Sequence, residues 1–331
     1  MSLISFGEIL IDFLGNDETP PSFTQYPGGA PANVAVAYAT LGGTSSFVGK
    51  LSRDDFGRFL EKSLQHYRVN TDFCRYSDDA QTALAFVSLD ENKERSFSFY
   101  RDRTADLLFR KSDFSNAAFA SSNIFHFCSN TLVNNSIFES TLHGLSLAES
   151  SHCITSFDLN LRLALWKDEA PLVERVWQCI QHSEIVKMSR EELDYIAVKS
   201  NINLETESVI SRCFELGVKL ILVSDGSNTL EWITKEYRGK IEPPTVMVRD
   251  TTAAGDAFVG ATLYAINQYV EATHLKTKTE SNELAKARFL RLIQDRDSLE
   301  RIINFSVKCG ALSVTRLGAF PSFAKENEIA F

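Results

Sequence analysis

Asp256 follows the run Ala253-Ala254-Gly255 and precedes AFVGATLYAINQYV, a stretch with apolar side chains at helical spacing. Upstream, PPTVMVRD reads as a strand leaving two prolines, which puts Asp256 in the first turn of a buried helix. The first N–H groups of a helix lack internal acceptors, and the aligned peptide dipoles add partial positive charge, so such a terminus receives anions. Three residues with almost no side chain leave the main chain open to a phosphoryl oxygen, and the carboxylate beside them can take a proton. The competing reading of this stretch alone is that Asp256 only complements the helix dipole while the small residues pack against a strand.

Two further places carry polar groups in unusual settings. PGGAPANVAVA, residues 27 to 37, sets Gly28 and Gly29 before a helix with Asn33 in its first turn. Paired glycines let a polyhydroxylated ligand approach the backbone, and Asn33 can both donate to and accept from hydroxyls, although a plain turn with a helix cap explains the same residues. Asp12 closes an otherwise apolar strand, ILIDFLG, where an unpaired carboxylate is unfavourable. It is either a strand terminator bonded to backbone or an acceptor for two adjacent hydroxyls. GGTSSFVGK at 42 to 50 imitates a phosphate loop, but one residue too many precedes Gly49-Lys50 and Leu51 replaces the required hydroxyl. The sequence has no GxGxxG after a strand, no HExxH and no GxSxG, so phosphate chemistry is left to the helix start at Asp256.

The elements that must position these residues alternate along the chain. Short β-branched or aromatic runs (ISFGEIL, SSFVGKL, NIFHFC, CITSFDL, EIVKMS, KLILVS) are separated by helical patterns such as APANVAVAYATLGG, FGRFLEKSLQHYR and PLVERVWQCIQHS. Alternation of this kind predicts an α/β fold with a mainly parallel sheet covered on both faces. TALAFVSLDENKERSFSFYRD breaks the rhythm as two alternating strands around a polar turn, a hairpin read as part of a small β lid. The polar connection VEATHLKTKTESNELAKARFLRLIQDRDS reads as a solvated surface excursion.

Composition narrows the partners. The chain has 331 residues and a net charge of −9, which argues against a general nucleic-acid or anionic-membrane surface and favours a small-molecule ligand. Six scattered cysteines without CxxC spacing read as reduced, buried thiols. No apolar run approaches the ~20 residues that span a bilayer, and a strand-like segment begins near the N-terminus, so a cytoplasmic protein is expected.

In order along the chain, GEILIDF, PGGAPANVAVA, VGKLSRDDFG, RDRTADLLF, FDLNLRLALW, VKMSREEL, VSDGSNT and DTTAAGDAF resemble the ribokinase-like (PfkB) carbohydrate kinase family, with bacterial fructokinases as the nearest likeness. The resemblance runs from the first strand to GAFPSF near the C-terminus. It implies one ribokinase-like three-layer α/β/α domain over 1–331, with the lid formed by insertions at about 12–28 and 80–108. It makes Asp256 the base that deprotonates a sugar hydroxyl, and the N–H groups of Ala253, Ala254 and Gly255 an anion hole for the transferring phosphoryl group. Ala253 stands where the family usually has glycine. Asp12, Gly28, Gly29, Asn33 and the lid residue Arg103 fall on sugar-binding positions. Arg162 (in FDLNLR, with Asp158 and Asn160), Lys187, Ser224, Gly226 and Gly255 fall near the nucleotide; Ser224 replaces the usual threonine and retains a hydroxyl.

The resemblance also implies ATP with Mg²⁺, and Glu192 as a ligand of that ion through water. Ser189 replaces the family's asparagine three residues before it. A K⁺-type monovalent cation beside Asp250, Thr252, Gly318 and Ser322 is a further implied feature. The expected reaction is phosphorylation of D-fructose to fructose 6-phosphate. The alternatives are 2-keto-3-deoxygluconate kinase, ribokinase or, from a different class, an idle sugar-binding regulator on the same fold. Exposed lid edges suggest a homodimer formed through the lid.

Overall fold

The computed structural model describes residues 2–15, 22–89, 95–200, 205–272 and 282–331. Gly7 divides the apolar run ISFGEILIDF into two strands that go to different sheets. Its φ of 149° and the 2.6 Å that would separate an added Cβ from Pro31 Cγ reserve that position for glycine. In chain order the strands are β1 Ser2–Phe6, β2 Leu10–Gly15, β3 Phe23–Gly28, β4 Thr44–Val48, β5 Lys50–Ser52, β6 Arg75–Ser77, β7 Ala83–Leu89, β8 Arg95–Tyr100, β9 Ile124–Cys128, β10 Ile154–Asp158, β11 Ile185–Ser189, β12 Leu220–Ser224, β13 Leu230–Ile233 and β14 Arg238–Ile241.

The main sheet has the order β14-β13-β12-β11-β10-β9-β1-β4. From β12 to β4 every neighbouring pair is parallel, whereas β13 and β14 continue the edge antiparallel. Alternating residues of each strand serve two cores. Ile4, Phe125, Phe127, Phe157, Val186 and Val223 face helices Asn135–Ser150, Leu172–Gln181, Arg190–Lys199 and Thr206–Glu215. Leu3, Ile124, Ile154, Ile185 and Leu220 face the other side, under helices Ala30–Thr40, Ala254–Ala272, Asn282–Leu292 and Arg296–Ser313. This is the three-layer arrangement expected of parallel strands joined by crossovers. The order in which the chain adds strands to the sheet reverses between β1 and β9, and ligands in open α/β sheets bind beyond the strand ends at such a switch point.

Helix Ala30–Thr40 is almost entirely buried and built from small residues, which lets it lie close to helix Ala254–Ala272. A Cβ on Gly260 would come within 2.6 Å of Ala37 Cβ and 3.0 Å of the Val34 carbonyl, so glycine sets this spacing. The contact brings the first turns of both helices, with Asn33 and Asp256, to the same end of the sheet.

A second sheet, in the order β3-β2-β7-β8, stands over that end. The hairpin read from the sequence is the antiparallel pair β7–β8; its turn, 90–94, lies outside the described residues. Asp54 caps helix Asp55–His66 through Gly57 N–H at 2.7 Å and also accepts from Thr82 N and Oγ1, tying the root of β7 to the body.

Two expectations need correction. Residues 242–250 form no strand: Pro243 and Pro244 supply no N–H for a ladder, and the segment runs irregularly along a cavity. The charged connection is more than a solvated excursion, because helix Asn282–Leu292 buries Ala285, Phe289 and Leu292 in the second core, while 273–281 lie outside the described residues.

Candidate active site

Asp256 is seven per cent exposed in the first turn of helix Ala254–Ala272 and is held on both oxygens. Asn33 Nδ2 donates to Oδ2 at 2.7 Å, and Asn160 Nδ2 donates to Oδ1 at 3.3 Å. Asn160 reaches it from a left-handed turn, φ 39°, directly beyond β10. Ala253 also lies in the left-handed region, φ 60°, a conformation that disfavours an alanine by about 1–2 kcal/mol. That turn aims the following N–H groups at the space before the helix. Ala254 N–H leans toward the Thr251 carbonyl at 3.4 Å, and Ala257 N–H, bonded to the Ala253 carbonyl at 2.8 Å, closes the first turn.

Lys187 and Asp158 are partners in the β10–β11 register, so their side chains lie side by side at the sheet end. The ammonium is 3.1 Å from Asp158 Oδ1, with the side chains 10% and 1% exposed. Burial opposes the charge on Lys187, but Asp158, Glu192 and Asp256 outweigh it and hold the amine above its ordinary pKa. Its Nζ would stand 3.3 Å from a Cβ on Gly255, so it flanks the helix start.

Asp12 projects from β2 beside the Gly28 turn. A Cβ at Gly28 would fall 2.0 Å from Asp12 Oδ2, so these two positions are fitted to each other. Gly29, at φ 104°, would place a Cβ 2.6 Å from the Glu8 carbonyl. Burial, followed by the charges of Asp256 and Asp250, pushes Asp12 up to about 7. Burial and Asp158 push Asp256 up to about 7, against the opposing effects of Asn33, Lys187 and Arg162. Both carboxyls are therefore poised to exchange a proton near neutrality.

Ser224 and Gly226 line a cavity of about 750 Å³ that reaches Ala254 and Gly255. Its apolar walls include Pro243, Val246, Phe258, Val307, Ala311 and Val314. No local pattern marks these wall residues, since each reads as an ordinary helix or turn position and only the fold gathers them.

The remaining candidates divide. Arg162 is exposed, donates to the Leu161 carbonyl at 3.0 Å, and its field reaches Asp12 and Asp256. Arg103 is exposed with φ 55°. Its neighbour Arg101 is the buried one, 2.6 Å from Asp106. Glu192 has both oxygens on backbone donors, Leu161 N–H at 2.6 Å and Ser189 N–H at 2.7 Å, and Ser189 Oγ caps Glu192 N–H in return. This capping box explains the serine locally and pins the loop after β10. Asp250 holds two of the remaining candidates: its Oδ1 accepts from Thr252 N–H at 2.7 Å and its Oδ2 from Gly318 N–H at 2.8 Å, while the buried Ser322 donates to the Ala319 carbonyl instead.

As a donor set for Mg²⁺ these carboxylates fit contact through water better than direct ligation, because Glu192 and Asp158 are already engaged by N–H groups and an ammonium. Among the described residues no three His, Cys, Asp or Glu side chains cluster as a metal site.

A mainly parallel three-layer sheet, a lid over its switch point and a buried acid at a helix start beside a nucleotide-sized cavity define a kinase-like site. The chain belongs to the pfkB family of carbohydrate kinases, whose family model matches residues 1–326. It is similar to fructokinase-1 of Oryza sativa subsp. japonica, 34% identical over 99% of this chain and 96% of that protein. Among solved structures it is similar to a Xylella fastidiosa fructokinase with bound ATP, with TM-score 0.90, 40% identity, and 99% and 96% of the two chains covered. It is also similar to a double mutant of the Vibrio cholerae O395 fructokinase with fructose, ADP and potassium bound, with TM-score 0.82, 27% identity, and coverage of 97% and 94%.

The raised acid at Asp256 has a consequence for stability. Moving its pKa from 3.8 to about 7 means the folded protein binds that proton more tightly than the unfolded chain. The stabilisation is complete below the unfolded pKa and is lost as pH rises through the folded one. Asp256→Asn should therefore be about 1–3 kcal/mol more stable than the parent at pH 8, a margin that shrinks at pH 5. Thermal denaturation at the two pH values reads this; a parent as stable as the variant at pH 8 contradicts it.

Proposed function

We propose that the protein transfers the γ-phosphoryl group of ATP to the 6-hydroxyl of D-fructose, giving fructose 6-phosphate and ADP. The observation that carries the reading is the buried Asp256, held by two asparagine amides at a helix start that opens on the 750 Å³ cavity. The sugar lies between β2 of the lid and the Gly28-Gly29 turn, with Asp12 and Asn33 on its hydroxyls. ATP occupies the cavity lined by Ser224 and Gly226, with its phosphates toward Ala253, Ala254 and Gly255.

Asp256 accepts the proton of the hydroxyl as its oxygen bonds to phosphorus and the bond to the β-phosphate oxygen breaks. N–H groups at the helix start, with Lys187 beside Gly255 and Arg162 at the rim, take up the charge on the transferring group. Glu192 would hold, through water, the Mg²⁺ that accompanies ATP, and that ion would supply neutralisation of phosphate charge. The lid, with Arg103 at its edge, excludes water from the phosphoryl group. The supporting relatives are the fructokinases named above.

Three narrower points belong to the same proposal. A potassium ion beside Asp250, Thr252, Gly318 and Ser322 is supported by the potassium-bound Vibrio cholerae relative; exchange of K⁺ for Na⁺ should lower turnover several-fold, and no change removes the site. Phe13, Phe23, Phe86 and Tyr100 form linked ring contacts on the lid, with Phe23 and Tyr100 exposed, which supports a homodimer formed there; a monomeric mass in sedimentation opposes it. A cytoplasmic setting is supported by six buried, unpaired cysteines, and none of the described helices is long and apolar enough to cross a membrane; disulfides in the native protein would count against it.

ADP release with MgATP across fructose, ribose, 2-keto-3-deoxygluconate and glucose tests the substrate. Fructose should lead in kcat/KM by at least about tenfold, and a different leading sugar refutes that assignment. Asp256→Asn should lose about 10²–10⁴ in kcat with fructose binding retained, and near-parental turnover removes Asp256 as the base.

A further inference from the structure

Between the ends of β1 and β9, at the switch point, lies a chain of buried polar side chains of which the reaction above uses only Asn33. Arg101 Nη2 donates to the Asn130 carbonyl at 3.0 Å, and Asn130 Nδ2 donates to Glu8 Oε1 at 2.9 Å. Glu8 Oε1 also accepts Ala30 N–H at 3.2 Å, directly after the Gly28-Gly29 turn. Asn33 N–H bonds the Gly29 carbonyl at 2.8 Å, and its side chain reaches Asp256. The chain therefore runs from the root of the lid to the catalytic base.

Each of these four side chains is more than nine-tenths buried, and each keeps one polar atom without a partner among the described residues: Glu8 Oε2, Asn33 Oδ1, Asn130 Oδ1 and Arg101 Nη1. Such orphans are unfavourable unless a ligand or an ordered water satisfies them. Their chemistry is uneven. Asn33 and Asn130 have their amide orientation fixed by the carboxylates they donate to, so both present acceptors. Glu8 adds a carboxyl oxygen, and Arg101 supplies the only donor of the four. Its charge is already taken by Asp106 at 2.6 Å, with both side chains 3% exposed.

We infer that Glu8, Asn130 and Arg101 form, with Asn33, a hydroxyl-reading wall of the sugar site that selects a neutral polyhydroxylated sugar and rejects a sugar acid. Hydroxyls donate to the three acceptors and accept from Arg101. A carboxylate only accepts, so it meets acceptors it cannot pair and an arginine whose charge is cancelled. The inference rests on the sugar-kinase reading and deepens it.

Calorimetric binding of fructose and of 2-keto-3-deoxygluconate, without nucleotide, tests it on the intact chain. The parent should bind fructose at least about 100-fold more tightly. Glu8→Gln, which keeps an oxygen for Ala30 and Asn130 but turns the orphan acceptor into a donor, should narrow that ratio at least about tenfold. Asp106→Asn, which leaves Arg101 uncompensated, should narrow it by a second route. A merely structural role would weaken both sugars equally and leave the ratio unmoved, and that result overturns the inference, as does a parent that binds both alike or neither. ADP formation is read separately: no ADP from any sugar, with the binding preference intact, retires the kinase reading and leaves the wall standing.

Discussion

An ionisable carboxylate buried at a helix start is the constraint around which the rest of this structure is arranged. In the proposed reaction Asp256 cannot be moved to solvent without leaving the phosphoryl path, and it cannot be buried alone without becoming a permanently neutral acid. The fold resolves this by giving each oxygen one amide donor and by placing Lys187 within reach of its field. Asp158, which holds Lys187 in place, works the other way and raises Asp256. The balance leaves the acid near neutrality, where a base has both the population and the driving force to act.

Much of the surrounding architecture follows from supplying those partners. Asn33 arrives on the small-residue helix Ala30–Thr40, whose close approach to helix Ala254–Ala272 depends on Gly260. Asn160 arrives from a strained turn beyond β10, and Glu192 fastens that turn through Leu161 N–H. Glu192 thus supports the loop whether or not it also orders water around a metal. Left-handed backbone at Ala253 and Asn160, and three buried acids near one another, oppose stability locally; such features persist where the surrounding fold over-determines them, and they concentrate at functional sites.

The place of Asp256 at a helix start, the paired glycines, the hairpin β7–β8 and the alternation of strands and helices were legible in the sequence, because each rests on a local pattern or a residue type out of place. It did not show that ISFGEILIDF breaks at Gly7, since a continuous apolar run reads the same whether one sheet or two receive it. Arg103 drew attention within RDRTAD, while Arg101 two residues earlier is the buried member that pairs with Asp106. Adjacent arginines cannot be ranked without knowing which one the turn directs inward. Glu8 is likewise hidden in an apolar run, between β1 and β2, and Asn130 in an unremarkable loop; only the switch point between β1 and β9 brings them together. The walls of the cavity beside Ala254 and Gly255 were invisible for the same reason, being assembled from several elements far apart in the chain.

The pH dependence of kcat/KM for fructose, at saturating MgATP, tests the central claim most directly, because it reports the ionisation of the site before the sugar binds. A base raised to about 7 must lose activity as pH falls through neutrality, with a tenfold drop per unit once the acid is protonated. The account predicts an acidic limb centred near 7. A profile that stays flat to pH 5 would contradict it, since the base would then ionise like an ordinary exposed aspartate or would not be Asp256.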